Sequence, residues 1–577
     1  MNKMRMGTVD ITEGNIEKIG KLFPNCITEK KSENGVIEKG INFDLLKQEL
    51  SKEIIDSNEA YEFTWVGKKA AILEANRPIS KTLRPCKRES LDWDNTENLY
   101  IEGDNLEALK LLQESYLGKV QMIYIDPPYN TGNDFIYRDD FSIMSEEYAE
   151  EIGQFDEENN RLFKNSDSNG RFHSSWCSMI YPRLQLARNL LSDDGVIFIS
   201  IDDNEQSNLK EICDEVFGSQ NFIATIIRNT NSSKNQSLFV SVSHEYCLVY
   251  AKKIEDLKEK HKNNKWSVPK NNVKEYLQKL KQMQDQGLSN EQITEELKVL
   301  TKYPRFIDFT NYWYLDEVGL YRKDNIGGVK NGNMKPIQNP LTGNFDPVPP
   351  GGYRYSPEKM QELIDNNQIH FHTDGSLPTV KRYLKDYNEQ RPKSIMSDDQ
   401  RPDYALMEQF NTPFDNPKQM SFMTRLISIF SNDSLIMDFF SGSATTAHAT
   451  MQLNAEDGGN RKFIMVQIPE KTDKNSKAYA AGYENICEIG KERIRMAGTK
   501  IKEETHADID YGFRVLKIDE SNMKDVYFSP TEMQQQMLTG LESNIKPDRT
   551  DLDLLFGCLL EWGLPLSLPY TTEQIDG

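Results

Sequence analysis

No stretch of this chain is apolar for the roughly 18 to 20 residues that a membrane span requires, and its opening, MNKMRMGTVDITEGN, lacks the apolar segment of a secretory signal. A cytoplasmic protein is expected. Cysteine is sparse: Cys26, Cys86, Cys177, Cys213, Cys247, Cys487 and Cys558 are scattered, with no C-x-x-C pair. That pattern points to neither a disulfide framework nor a thiolate zinc site, and the thiols read as reduced and structural. Positive charge is also short, with 69 Lys and Arg against 90 Asp and Glu, a net charge of -21. Composition alone therefore argues against a polyanionic ligand. The deficit is uneven, however: residues 251–390 hold 22 Lys and Arg against 19 Asp and Glu, which makes them +3 and the remainder -24.

What is present is length and rhythm. At 577 residues the chain exceeds one ordinary core, so two to four compact units are expected. Residues 1–90 mix amphipathic helical patterns with one aromatic strand candidate, Glu62 to Val66, and form an N-terminal accessory segment without a chemical motif. From 91 to 252, short apolar runs alternate with helical patterns, the signature of a parallel α/β sheet. The strands are Leu99 to Asp104, Met122 to Asn130, Gly195 to Asp203 and His244 to Lys252. The helices are NLEALKLLQESY, SMIYPRLQLARNLL and NEQSNLKEICDEVFG, the last ended by Gly218. A turn is expected at Ser192 to Gly195. The rhythm stops over 253–390, rich in Lys, Asn, Tyr, Gly and Pro, which reads as an inserted domain. It resumes over 391–502 with strands Ser434 to Phe440 and Lys462 to Pro469 and the helices MSFMTRLISIF, TTAHATMQLN and YENICEIGKERIRMAG. Residues 503–577 read as a small mixed C-terminal unit, with a strand from Phe513 to Ile518 and a helix from Asp551 to Gly563.

The sharpest chemical signal is Asp126-Pro127-Pro128-Tyr129, at the carboxyl end of a buried strand, where open parallel sheets keep their ligand sites. An aromatic amine is a poor nucleophile because its lone pair is delocalised into the ring. The Asp126 carboxylate and the Pro127 carbonyl can each accept one of its N–H groups and aim the lone pair at an electrophilic methyl group. The prolines Pro127 and Pro128 stiffen the loop, and the Tyr129 ring offers a face for a base lifted from its stack. A second signal is Asp438-Phe439-Phe440-Ser441-Gly442-Ser443-Ala444-Thr445-Thr446, an acidic strand end followed by small residues and a helix start. It suits a nucleoside amino acid, with helix amides toward the carboxylate and Asp438 toward the ammonium. Asp104 and Asn105 end the first strand, where Asp104 can accept from the cofactor's adenine amine, and Gln467 ends another, where it can reach ribose hydroxyls. No metal is called for; His370-Phe371-His372 reads as structural or facing DNA. The aromatic run FTNYWYLDEVGLYRK from Phe309 to Lys323 either stacks on bases or packs its own domain.

These residues resemble the β-class amino-methyltransferases, in which the D-P-P-Y half precedes the cofactor half. More narrowly, DPPYNTGNDFIYRDDF, SMIYPRLQLARNLL, GVIFISIDDNE and MDFFSGSATTAHA resemble the modification (Mod) subunits of type III restriction-modification enzymes, from about Leu99 to the C-terminal region. The resemblance implies a circularly permuted, Rossmann-like methyltransferase sheet that uses S-adenosylmethionine, with a target recognition domain inserted at 253–390. It also implies N6-adenine methylation of double-stranded DNA, a homodimer, and a separate ATP-dependent restriction (Res) subunit. Asn416 to Lys418 matches the family segment that closes the cofactor pocket. Three departures stand out: Ala444 replaces the last glycine of the usual F-x-G-x-G, Gln467 replaces an acidic ribose ligand, and the chain stops at Gln574 to Gly577, where relatives continue. The last leaves dimer formation and Res docking open. N4-cytosine methylation, or a catalytically silent recognition subunit, are the alternatives.

Overall fold

The computed structural model describes residues 11–31, 37–43, 46, 63–132, 135–137, 162–164, 172–229, 239–397, 401–524 and 544–573. Part of the expected motif Asp126 to Phe141 and the terminal Gln574 to Gly577 lie outside these. The chain divides into two compact units, one of residues 1–228, 232–264 and 400–577 and another of residues 229–231 and 265–399. Among the described residues, no helix is long and apolar enough to cross a membrane.

The first unit is built on a twisted central sheet. Its strands are β1 (Lys81–Pro85), β2 (Leu99–Glu102), β3 (Val120–Ile125), β4 (Leu191–Ile201), β5 (Phe222–Asn229), β6 (His244–Ala251), β7 (Leu435–Asp438), β8 (Lys462–Gln467) and β9 (Arg514–Glu520). Their order across the sheet is β5-β6-β4-β3-β7-β8-β2-β9-β1. From β4 to β9 every neighbouring pair is parallel, while β6 and β1 are antiparallel flanks. Strands covered on both faces need apolar residues at every position rather than at alternate ones, and VQMIYI in β3 and KFIMVQ in β8 supply them.

Helices α1 (Lys68–Asn76), α2 (Asn105–Tyr116), α3 (Phe172–Leu190), α4 (Gln206–Cys213), α5 (Arg401–Gln409), α6 (Met420–Ile427), α7 (Thr445–Asp457), α8 (Ile486–Thr505) and α9 (Asp551–Glu561) complete this unit's main elements. Two apolar clusters hold them to the sheet. One joins α2, α3 and α9 to β2, β3 and β4 through Leu109, Trp176, Leu184, Ile197 and Phe556. The other joins α7 and α8 to β8 and β9 through Ala447, Met451, Met465, Ile494 and Val515.

Several expectations are corrected here. Residues 63–66 form no strand; Phe63 and Trp65 pack against the core, and Trp65 Nε1 donates to Ser178 Oγ at 2.9 Å. The expected turn at Ser192 to Gly195 is part of β4, whose pairing with β3 shifts register between Val120 and Met122. The helix expected to run to Gly218 leaves α geometry after Cys213 and finishes in a π turn from Asp214 to Gly218. Strand β5 was not expected, because FIATIIRN is only half buried and shows no clean alternation. The tail is not set apart: β9 lies between β2 and β1 in the central sheet.

The second unit has its own four-stranded antiparallel sheet, in the order Tyr314–Leu315, Leu320–Asn325, Thr379–Tyr383, Ile369–His370. Helices Val273–Asp285 and Asn290–Leu300 bury Tyr276, Leu280, Ile293 and Leu297 with Phe306 and Phe309. The rings of Tyr276 and Phe309 stack at 4.2 Å. Phe309, Tyr312 and Tyr321 are thus packing residues of this unit. His370 Nδ1 lies 2.9 Å from the Tyr321 hydroxyl, and burial pushes its pKa down to about 4, so the ring is neutral near pH 7.

Candidate active site

Strand β3 continues through α3 to β4 on one side, whereas β7 continues through α7 to β8 on the other. The two neighbours therefore part their connections, and open parallel sheets form a crevice at the carboxyl ends of such a pair. Both strands end in an acidic residue: Asp126 follows β3, and Asp438 closes β7.

Asp126 lies in a network of five side chains. Its Oδ1 accepts from the Tyr129 hydroxyl at 2.9 Å and lies 3.0 Å from the Lys418 ammonium. Lys418 Nζ also donates to the Tyr129 oxygen at 2.6 Å and to Glu245 Oε2 at 3.0 Å. Glu245 in turn receives the Arg228 guanidinium at 2.7 Å, and Arg228 is only 3% exposed. Burial favours the protonated carboxyl, but Lys418 and Arg228 outweigh it and hold Glu245 at about 2. Burial, reinforced by the Asp126 and Glu245 charges, raises the Tyr129 hydroxyl well above its ordinary value, so it stays a donor.

The loop is fixed from behind. Trp176 on α3 donates Nε1 to the Pro128 carbonyl at 2.7 Å, which leaves the Pro127 carbonyl outside that bond. Asn130, with φ at 62°, donates to the fully buried Glu205 at 2.5 Å, and His173 and Asn208 converge on the same carboxylate. Rigid supports of this kind hold a constellation at one geometry.

The loop after β7 is equally determined. Asp438 accepts from the Phe440 N–H at 3.1 Å and from the Thr446 hydroxyl at 2.6 Å. Burial raises its pKa to about 7, with Asp126 adding to the shift. Gly442 has φ at 49°, and a Cβ there would meet the Phe414 ring at 3.4 Å. Ala444 also sits in the left-handed region, at φ 59°, where the family's glycine would be unstrained. It precedes α7, which begins without a side-chain cap. On α8, Gly490 lies so close that a Cβ would come within 3.2 Å of the Gly442 carbonyl.

The structure thus brings together Asp126, Tyr129 and Lys418 at β3, and Asp438, Gly442, Ser443, Ala444 and Thr445 at β7. Phe439 is wholly buried and contributes its carbonyl, which accepts from Asn105 Nδ2 at 2.8 Å. Phe440 packs against it with ring centroids 5.4 Å apart. Asp104 is the N-cap of α2, its Oδ1 accepting from Leu106 and Glu107. Gln467 Oε1 accepts the Gly442 N–H at 2.7 Å, so this side chain braces the loop. Lys418 Nζ thus contacts Tyr129, Glu245 and Asp126, on the β3 side of the crevice. Sequence reasoning missed Glu245, Arg228, Trp176 and Glu205. Glu245 alone carried a signal, a carboxylate inside the apolar strand HEYCLVYA.

Comparison with known proteins is consistent with this arrangement. The N6/N4 methyltransferase family model, described as DNA methylase, matches residues 120–504. The EcoP15I Mod subunit of a type III restriction-modification enzyme, from Escherichia coli, is 35% identical, over 96% of this chain and 84% of that subunit. The EcoPI Mod subunit, from Escherichia phage P1, is 34% identical, over 86% of this chain and 76% of that subunit. The StyLTI Mod subunit, from Salmonella typhimurium, is 32% identical, over 86% and 73%. With an acidic strand end at each side of the switch point, and with identity sustained across both halves of the sheet, this chain belongs to the DNA methylases and, among them, to the Mod subunits of type III restriction-modification enzymes.

Proposed function

We propose that the protein transfers the methyl group of S-adenosylmethionine to the N6 amine of an adenine flipped out of double-stranded DNA, as the modification subunit of a cytoplasmic type III system. The observation that carries this reading is the pairing of β3 with β7, which sets the Asp126 loop beside the Asp438 loop at the switch point. The residues after β7 suit the cofactor: a buried carboxylate for an ammonium, a glycine with positive φ that lets a ligand approach the backbone, and an uncapped helix start for a carboxylate. Asp104 has a second carboxylate oxygen to offer the adenine ring, and the Gln467 amide nitrogen, which makes a long 3.3 Å contact to the Ile468 carbonyl, can turn to a ribose hydroxyl.

When bound, S-adenosylmethionine supplies an electrophilic methyl group on its sulfonium. The chain's own residues do the rest. The Asp126 carboxylate and the Pro127 carbonyl accept the two N–H groups of the target amine, which directs its lone pair out of the ring plane. Tyr129 lies under the flipped base. The Lys418 ammonium, which sits on Asp126 at 3.0 Å, moves onto Glu245, already 3.0 Å away, and frees the carboxylate for the amine. Residues 253–390, most of which belong to the second compact unit, form the target recognition domain. The working assembly is a homodimer joined by a Res subunit.

The test is expression of the wild type and Asp126→Ala in a host lacking DNA methylation, with modified bases mapped by long-read sequencing. N6-methyladenine at one motif, on one strand, from the wild type alone is the expected result. N4-methylcytosine would overturn the choice of base, and an unmodified genome in both samples would overturn the activity.

A further inference from the structure

Arg493 has no exposed surface and points at the start of α7. Its Nη1 donates to Ser443 Oγ and to Thr445 Oγ1, each at 2.7 Å, and reaches the Ser443 carbonyl at 3.4 Å. Among the described residues, its Nε and Nη2 have no hydrogen-bond partner. Among the described residues no carboxylate lies within ion-pair distance of it; Asp403 acts on it only from further away. Burial accordingly lowers its pKa to about 10. Its neighbour His448 is also fully buried and is kept neutral, by burial first and by Arg493 second.

This is an expensive arrangement. A desolvated cation without a counter-charge destabilises the fold, and here it abuts the positive end of a helix dipole whose first amides lack a side-chain cap. Two positive features converge, and neither relieves the other. An anion would satisfy both. The chemistry of the vacant valences narrows which anion: Nε–H and Nη2–H lie on the same edge of the planar guanidinium and point in parallel, the geometry that a carboxylate accepts with both oxygens. Gly490, one helical turn before Arg493 on α8, permits the close approach to Gly442 that brings the Arg493 guanidinium, through Nη1, to the loop.

We infer that Arg493 binds the α-carboxylate of the cofactor's methionine moiety through its Nε/Nη2 edge, acting with the first amides of α7. The inference rests on the proposed S-adenosylmethionine site. The ammonium of the same moiety then meets Asp438, so the zwitterion supplies a counter-charge to each buried ion.

Titration calorimetry on the full chain tests this with two ligands. S-adenosylmethionine carries the carboxylate; decarboxylated S-adenosylmethionine lacks it and keeps both the ammonium and the sulfonium. The wild type should bind the first about 30-fold more tightly, the usual scale for a charge-assisted pair. Arg493→Met should lose most of that preference and bind the decarboxylated ligand within about threefold of the wild type. Arg493→Lys, which keeps the charge without the fork, should fall between. Equal loss for both ligands would overturn the inference, because Arg493 would then only hold the loop. Equal affinity of the wild type for the two ligands would overturn it without any variant, and where Arg493→Met fails to fold, Arg493→Lys carries the test: an undiminished preference in that variant would overturn the fork geometry. A wild type that binds neither ligand overturns the proposed function as well, which separates the two failures.

Discussion

The carboxyl ends of β3 and β7 are neighbours in one sheet but treat charge in opposite ways. At β3 each ion has its opposite within hydrogen-bond reach: Lys418 lies between Asp126 and Glu245, and Arg228 is on Glu245. At β7 the Asp438 carboxylate and the Arg493 guanidinium are each bonded, among the described residues, only to hydroxyls and backbone groups. The first region is complete as folded and must be opened by its substrate. The second carries uncompensated charge that a zwitterionic ligand would neutralise. The difference follows from the desolvation cost of buried ions, which either partners in the chain or charges on a ligand must offset.

Four changes test that contrast. Asp126→Ala should lower the methyl-transfer rate by about 10³, the scale for removing a positioned group that acts on the reacting atoms, while calorimetric affinity for S-adenosylmethionine stays within twofold of the wild type. Glu245→Gln should destabilise the fold by about 3 kcal/mol at pH 7 in urea unfolding, because it leaves Arg228 and Lys418 buried without their shared carboxylate. The folded pKa of Glu245, about 2, is below its ordinary 4.5, so its contribution is full above pH 4.5 and is lost as pH falls toward 2. The gap between variant and wild type should close over that window.

Asp438→Asn should behave in the opposite sense. Its folded pKa of about 7 is above the ordinary 3.8, so the carboxyl's contribution is full below pH 3.8 and is lost as pH rises through 7. Above pH 7 the ligand-free variant should melt later than the wild type, by about 2 kcal/mol of stability, yet bind S-adenosylmethionine about tenfold more weakly. A variant that is less stable at every pH would remove the contrast between the two strand ends. The smallest effect is expected for Trp176→Phe, which deletes the bond to the Pro128 carbonyl. Its cost is about 1 kcal/mol, and the methyl-transfer rate should drop severalfold with cofactor affinity unchanged.

Much of this was legible in the sequence, for a definable reason. Strands β2, β3, β7 and β8 are covered on both faces, so their apolar runs are nearly continuous and the acidic residues that end them stand out. The start of helix α2 is legible because Asp104 caps it. Strand β5 escaped because its residues are half buried, and Trp65 escaped because a loop aromatic packed on the core has the composition of a strand. Aromatic residues such as Phe309 and Tyr312 could not be assigned to stacking or to packing from spacing alone; their burial decides for packing.

Local pattern also determined that an Asp-Pro-Pro-Tyr loop and a small-residue helix start would each follow a buried strand, since both facts concern residues adjacent in the chain. Only the tertiary structure decided which distant charges meet them. Lys418 is 292 positions from Asp126 in the numbering and was expected near the cofactor, yet it lies on the carboxylate. Glu245 and Arg228 come from flanking strands, and Arg493 comes from a helix whose amphipathic pattern conceals two buried cations, Lys491 and Arg493. Periodicity reports which face of an element is covered, whereas the partner of a buried ion depends on how elements far apart in sequence are packed.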